Sequence, residues 1–137
     1  VVAALGLASS VEQYIADFSR RMNIKVEFIH NLDCQRFPED LELVCYRVLQ
    51  EALTNVVKHA QASCVVVEIL NIEDRVLQLR IKDNGKGFDV AAGTQHGLGL
   101  FGIRERLNYV GGKLVVISNP DQGTEVIARI PLTQTVQ

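Results

Sequence analysis

The sequence predicts a two-layer α/β sandwich in which a mixed five-stranded sheet is covered on one face by three helices. Three observations lead to it. Residues 64–70 with 76–81, and 113–118 with 124–130, are paired runs of β-branched or alternating apolar residues, each pair joined by a short polar turn, as in antiparallel hairpins. Three other segments repeat apolar residues at three- and four-residue spacing, the helical signature. The resulting order, αβαββαββ, has hairpins where regular βαβ crossovers would otherwise stand, and a mixed sheet with its helices gathered on one side follows.

Taken in order, residues 1–8 are small and apolar, and Ser9 or Ser10 can cap a helix running to about Met22 with Val11, Tyr14, Ile15 and Phe18 on one face. Asn23 breaks it. Ile24, Val26 and Phe28 alternate with Lys25 and Glu27 as a half-buried strand ending near Ile29, and residues 30–37 read as a loop. Pro38 suits a first helical turn, and Glu39 and Asp40 follow where the helix dipole favours acids, so a central helix runs from there to about Ala60. Leu41, Val44, Val48, Leu49, Ala52, Val56 and Ala60 give it a core-facing side. After the first hairpin, which turns at Glu73, Asp74 and Arg75, residues 89–96 read as a short loop with Gly93 as a hinge. A third helix spans residues 98–110, with Gly111 as its stop, and the last hairpin turns through residues 119–123.

At 137 residues, with 47% apolar and 22% charged residues, the chain is expected to form one soluble globular domain over residues 1–137, and the absence of an initiator Met suggests a fragment of a longer protein. A net charge of −2, with Lys and Arg dispersed, provides no general field for nucleic acid or an anionic membrane. Any phosphate binding must be local. Cys34, Cys45 and Cys64 are odd in number, lack CxxC spacing and sit in or beside apolar runs, which suggests reduced thiols buried as small hydrophobes in the cytosol. No apolar run reaches the roughly 18 residues of a membrane span, and no basic leader opens the chain.

The chemistry gathers on the second side of the central helix. At about 100° per residue, Arg47, Glu51, Asn55, Lys58 and His59 fall on one stripe. By itself that stripe also fits ordinary ion pairing along a solvated face. Asp83 stands where a strand stops, placing an acceptor for an exocyclic amine, and Gly85 and Gly87 allow the backbone to turn sharply and approach a flat ring. Asp-Asn-Gly is equally a common turn. Further on, Gly97-Leu98-Gly99-Leu100-Phe101-Gly102 opens the third helix, whose free N–H groups suit a polyphosphate. It matches G-x-G-x-x-G, but a dinucleotide site needs a preceding strand and an acid at a strand end about 20 residues on, whereas a loop precedes Gly97 and Asp121 lies in a hairpin turn.

Together, Glu51-x-x-x-Asn55-x-x-Lys58-His59-Ala60, Asp83-x-Gly85-x-Gly87, Gly97-x-Gly99-Leu100 and Gly123-Thr124 resemble the four boxes of the GHKL ATP-binding, or Bergerat-type, fold over nearly the whole chain. The run from Tyr46 through Asn55, the short loop before Gly97, and Gly102-Ile103-Arg104-Glu105-Arg106 resemble the catalytic domain of two-component histidine kinases, of the nitrate-sensor and lipid-fluidity-sensor class.

The resemblance implies ATP and Mg²⁺ as cofactors. Asn55 is expected to ligate Mg²⁺ through its amide oxygen and Glu51 to hold or polarise a water in the metal shell, which makes these two the catalytic pair. Lys58 and His59 would face the phosphates, Asp83 would read the adenine amine with Thr124 in support, Gly85 and Gly87 would shape the base site, and the backbone of Gly97, Leu98, Gly99 and Leu100 would close over the phosphates. Arg104 and Arg106 read as surface or partner-contact residues. A kinase of this kind phosphorylates a histidine followed by an acid, yet His30, His59 and His96 precede Asn31, Ala60 and Gly97. The acceptor is therefore expected in a separate dimerisation domain, with a response regulator reached through the full-length kinase. Neither nucleic acid nor direct membrane contact is expected, and the domain is expected in the cytoplasm, whether or not the parent is a membrane-bound sensor. An anti-sigma-factor serine kinase of the same superfamily and a non-catalytic nucleotide-binding module remain alternatives.

Overall fold

The computed structural model describes residues 6–87 and 100–132. Helix α1 (Leu7–Met22) leads into strand β1 (Lys25–His30), and helix α2 (Glu39–Asn55) continues through a π-helical turn (Val56–Ala60) to strands β2 (Cys64–Ile72) and β3 (Val76–Asp83). Helix α3 (Leu100–Tyr109) is followed by β4 (Lys113–Ser118) and β5 (Thr124–Pro131). The strands form one sheet in the order β1-β2-β3-β5-β4, parallel between β1 and β2 and antiparallel elsewhere, so the mixed five-stranded sheet is borne out. The hinge expected at Gly93 and the glycines of the second loop, Gly97 and Gly99, lie outside the described residues.

Period-two alternation decides which side of the sheet meets the helices. Val65, Val67 and Ile69 of β2, Leu77, Leu79 and Ile81 of β3, and Ala128 and Ile130 of β5 are buried, and they join Val48, Leu49 and Leu53 of α2 and Ile103 and Leu107 of α3 in one core. The opposite sheet face is wetter and carries a charge ladder, in which Arg80 pairs with Glu125 and, at 3.8 Å, with Glu68.

Several local expectations shift. The first helix begins at Leu7 rather than at a serine cap: Leu7 and Val11 are fully buried, so packing recruits an extra turn and leaves Ser10 Oγ buried without a hydrogen-bond partner among the described residues. His30 extends β1 instead of opening a loop, because its ring stacks on Phe28 at 5.0 Å and its Nδ1 accepts the Leu32 N–H. The cysteine expectation holds only for Cys45, whose thiol is pushed up to about 12 by burial and then by the charge of Glu42. Cys34 and Cys64 are exposed, Cys64 because it lies on the strand side facing away from the helices and Cys34 because it lies in the loop before α2.

Two contacts hold the loops that frame α2 and the end of β3. The Glu42 carboxylate is fully buried, accepts hydrogen bonds from Arg36 Nε and Nη2 at 3.2 Å and from the Phe37 N–H at 3.0 Å, and so ties the preceding loop to the first turn of α2. After β3, the chain presses against the β4–β5 turn backbone to backbone. Asp121 N–H donates to the Lys86 carbonyl, a Cβ on Gly87 (φ +63°) would overlap the Asn119 carbonyl oxygen, and one on Gly123 (φ +79°) would overlap that of Asp83.

Both contacts are testable by thermal and denaturant unfolding. Glu42→Ala removes three hydrogen bonds from a water-excluded site and is expected to cost about 2–4 kcal/mol, whereas Arg20→Ala, which breaks an exposed pair with Asp17, should leave the midpoint unchanged. Gly123→Ala combines a left-handed backbone with a steric overlap and should cost about 2–4 kcal/mol. Equal midpoints for Gly123→Ala and the parent would show that the two loops do not require this close approach.

Candidate functional site

A cleft of about 270 Å³ opens between the end of α2, its π-turn, the ends of β3 and β5, and the start of α3. Its walls are apolar: Ala52 and Val56 from the helix, Ile81 and Val126 from the sheet, Val116 from β4 and Leu100 from α3. Into it project Asn55, Lys58, His59, Asp83, Lys86 and Thr124. An apolar cleft with a few polar groups is what a small ring-bearing ligand requires.

Asp83 defines the buried end. Alternation along β3 puts its side chain on the core side with Ile81, and it is 6% exposed. Its Oδ1 accepts the Gly85 N–H at 2.7 Å. Burial raises the carboxyl pKa, a shift opposed by the backbone N–H donors of Gly85 and Thr124. The carboxylate is thus fixed by the two loops, with its remaining acceptor capacity available to the cleft. Thr124 is placed by Ser118, also 6% exposed, whose hydroxyl lies 2.8 Å from the Thr124 Oγ1 and donates to the Gly123 carbonyl.

The polar stripe of the central helix is only partly brought to this cleft. Asn55, Lys58 and His59 line it; the helix changes to π geometry after Asn55, which alters the angular spacing and lets consecutive Lys58 and His59 both reach the site. Arg47 does not reach it and instead donates to Gln50 Oε1 at 3.0 Å. Glu51 does not line it either. Its Oε2 accepts from Arg106 Nε at 2.8 Å, and its Oε1 is buried with no hydrogen-bond partner among the described residues.

In the glycine loops, Gly87 and Leu100 line the cleft, whereas Gly85 is buried behind Asp83 and serves it through its N–H. Gly97, Leu98 and Gly99 lie outside the described residues. Sequence reasoning missed Lys86 as a cation of the site and Ser118 as the support of Thr124. Lys86 could have been found from its place between the two glycines of the same loop; the contact of Ser118 depends on the β4–β5 register, which pairs it with Thr124. Arg106, expected to be a surface or partner-contact residue, is exposed and also pairs with Glu51.

Magnesium fits these residues as a shared ion. Among the described residues no group of three His, Cys, Asp or Glu side chains could cage a metal, so an ion here would need ligands from a polyphosphate as well as from the protein. The Asn55 amide would offer a hard oxygen, and Glu51 Oε1, one helical turn away and outside the cleft lining, is a buried acceptor with no hydrogen-bond partner among the described residues.

The chain is similar to known proteins over nearly all its length. It is 41% identical to the signal transduction histidine-protein kinase/phosphatase DegS of Brevibacillus brevis, over 94% of this chain and 33% of that protein. To the oxygen sensor histidine kinase NreB of Staphylococcus carnosus it is 38% identical, over 94% of this chain and 37% of that one. The chain therefore spans about a third of the length of these curated relatives. The blue-light activated histidine kinase of Erythrobacter litoralis superposes with a TM-score of 0.75 over 92% of this chain and 42% of its own, at 21% identity, and shares the fold. Residues 40–134, which hold all but the first residue of the central helix, both hairpins and every described residue lining the cleft, match the family described as histidine kinase-, DNA gyrase B- and HSP90-like ATPases, and the chain belongs to that family.

Proposed function

We propose that this chain is the ATP-binding catalytic domain of a two-component sensor histidine kinase, binding ATP with Mg²⁺ and presenting the γ-phosphoryl group to a histidine in a separate dimerisation domain. The observation that carries the reading is Asp83: a buried carboxylate, held by two backbone amides, lining a cleft with mostly apolar walls. Such a group accepts a hydrogen bond from the adenine amine, while the apolar walls take the ring faces. The kinase relatives support the same direction.

The remaining roles follow from placement. Exposed Lys58 and Lys86 and half-buried His59 supply charge and donors for the phosphates in the same cleft. Asn55 would ligate Mg²⁺ and Glu51 would hold a water of its shell; the ion, when bound, neutralises charge on the phosphate oxygens during transfer. Thr124, held by Ser118, supports adenine beside Asp83. Gly97, Leu98 and Gly99 remain assigned to phosphate closure by the family motif. None of His30, His59 and His96 is followed by an acid, so the acceptor histidine is assigned to another domain. Among the described residues no helix is long and apolar enough to cross a membrane; the domain is assigned to the cytoplasm because its substrate is there.

The direct test is Mg²⁺-dependent phosphate transfer from ATP to an added histidine-bearing dimerisation domain. Asn55→Ala is expected to keep the fold and the metal-free nucleotide affinity while losing at least tenfold in transfer and most of the Mg²⁺ enhancement of binding. Equal magnesium effects in variant and parent would remove Asn55 from the site. Asp83→Asn places an amide donor where an acceptor is needed and should weaken ATP binding by about 1–3 kcal/mol while leaving GTP binding little changed. Undiminished discrimination between ATP and GTP would remove Asp83 as the base reader.

A pH dependence follows from the raised Asp83 pKa. The folded chain holds this proton at higher pH than the unfolded chain does, so the stability contributed by Asp83 is fully present below the ordinary aspartate value of 3.8 and is lost as pH rises through the raised one. An adenine amine favours the ionised form, so nucleotide binding should lower the Asp83 titration midpoint. Carboxyl-carbon NMR with and without ADP measures it, and an unchanged midpoint would contradict the assignment.

A further inference from the structure

Glu51 and Arg106 form an ion pair that joins α2 to α3, and its geometry is asymmetric. Arg106 Nε donates to Oε2 at 2.8 Å, while Oε1 of the same carboxylate is buried and has no hydrogen-bond partner among the described residues. The two side chains are 44% and 32% exposed for Arg106 and Glu51, so the contact is neither a freely solvated surface pair nor a sealed one. A buried carboxylate oxygen without a partner is costly, so what holds it in that position matters to the site.

Glycine lets Oε1 lie this close to α3. A Cβ built on Gly102 would stand 3.3 Å from Oε1, closer than comfortable van der Waals contact, so any side chain there would crowd the oxygen. Gly102 and Arg106 are four residues apart on α3 and therefore share a face: one turn leaves room for Oε1, and the next holds Oε2. On the other side, Ile103 and Leu107 are fully packed, which fixes the helix and hence the reach of Arg106.

We infer that Arg106 is the positioning residue for Glu51: by taking Oε2 it holds the carboxylate against Gly102 of α3 and fixes the orientation from which Oε1 can serve the metal-bound phosphates when nucleotide is bound. This inference rests on the proposed role of Glu51. It also couples the catalytic helix to the segment that follows the second glycine loop, because α3 begins at Leu100, directly after Gly99. Without Arg106 the Glu51 side chain can rotate into solvent, and Oε1 loses its aim.

The test combines nucleotide binding with transfer. ADP affinity is measured by calorimetry with Mg²⁺ and with EDTA for the parent, Arg106→Gln, Arg106→Lys, Glu51→Gln and the double variant Arg106→Gln/Glu51→Gln, alongside unfolding midpoints and transfer to an added acceptor domain. Arg106→Gln is expected to leave the EDTA affinity within twofold, to reduce the Mg²⁺ enhancement several-fold and to slow transfer at saturating ATP at least tenfold. Arg106→Lys, which retains the charge, should recover part of both losses. The double variant should be no worse than Glu51→Gln alone, since Arg106 acts through that carboxylate. Losses that add in the double variant, or that track only a lowered unfolding midpoint, would overturn the inference. If Glu51→Gln is impaired but Arg106→Gln is not, the inference fails and the role of Glu51 stands. If Glu51→Gln itself matches the parent, both fall.

Discussion

The carboxylate of Asp83 is held in a nearly water-free position by the N–H groups of Gly85 and Thr124, and the rest of the site depends on that arrangement. It requires β3 to end facing the core, β5 to begin beside it, and the loops after β3 and β4 to meet without side chains between them. Gly87 and Gly123 allow the last condition, and Ser118 holds the turn from behind through the Gly123 carbonyl. The cost of burying the acid is visible in its raised pKa. A charge so placed offers little to folding and much to a ligand that donates a hydrogen bond in a dry pocket.

The second organising element is a helix with two occupations. One side of α2 fills the core with Val48, Leu49 and Leu53, so its position is fixed by packing and not by the site. The opposite side can then present Glu51 and Asn55 with little freedom. The π-turn that follows widens the helix where Lys58 and His59 both face one cleft, a local departure from ideal geometry beside the polar lining of that cleft. Glu51 differs from its neighbours in being steered from α3, through Arg106, and the site is thereby sensitive to where α3 sits.

Much of this was legible in the residues. The hairpins announced themselves by alternation, and the core side of α2 by three- and four-residue spacing, because both signals are imposed by burial on one face. Asn55, Lys58, His59, Asp83, Gly87, Leu100 and Thr124 were expected at one site and line one cleft. What escaped the sequence depends on contacts between distant segments. Arg106 finds Glu51 across 55 positions, Lys86 reaches the cleft because two loops lock together, and Gly85 serves Asp83 instead of the cavity. Cys64 shows the same limit: its apolar neighbours suggested burial, but strand alternation turned it outward. Helix ends were also misjudged, since Leu7 is drawn into the core without a serine cap.

The central claim is that the cleft is an adenine-nucleotide site read by Asp83. Calorimetric titration of the chain with ATP, ADP and GTP, each with Mg²⁺ and with EDTA, addresses it most directly. The account predicts binding of ATP and ADP with a clear preference over GTP, and a Mg²⁺ enhancement that is larger for ATP. No binding of either adenine nucleotide at millimolar concentration, with or without the metal, would contradict it.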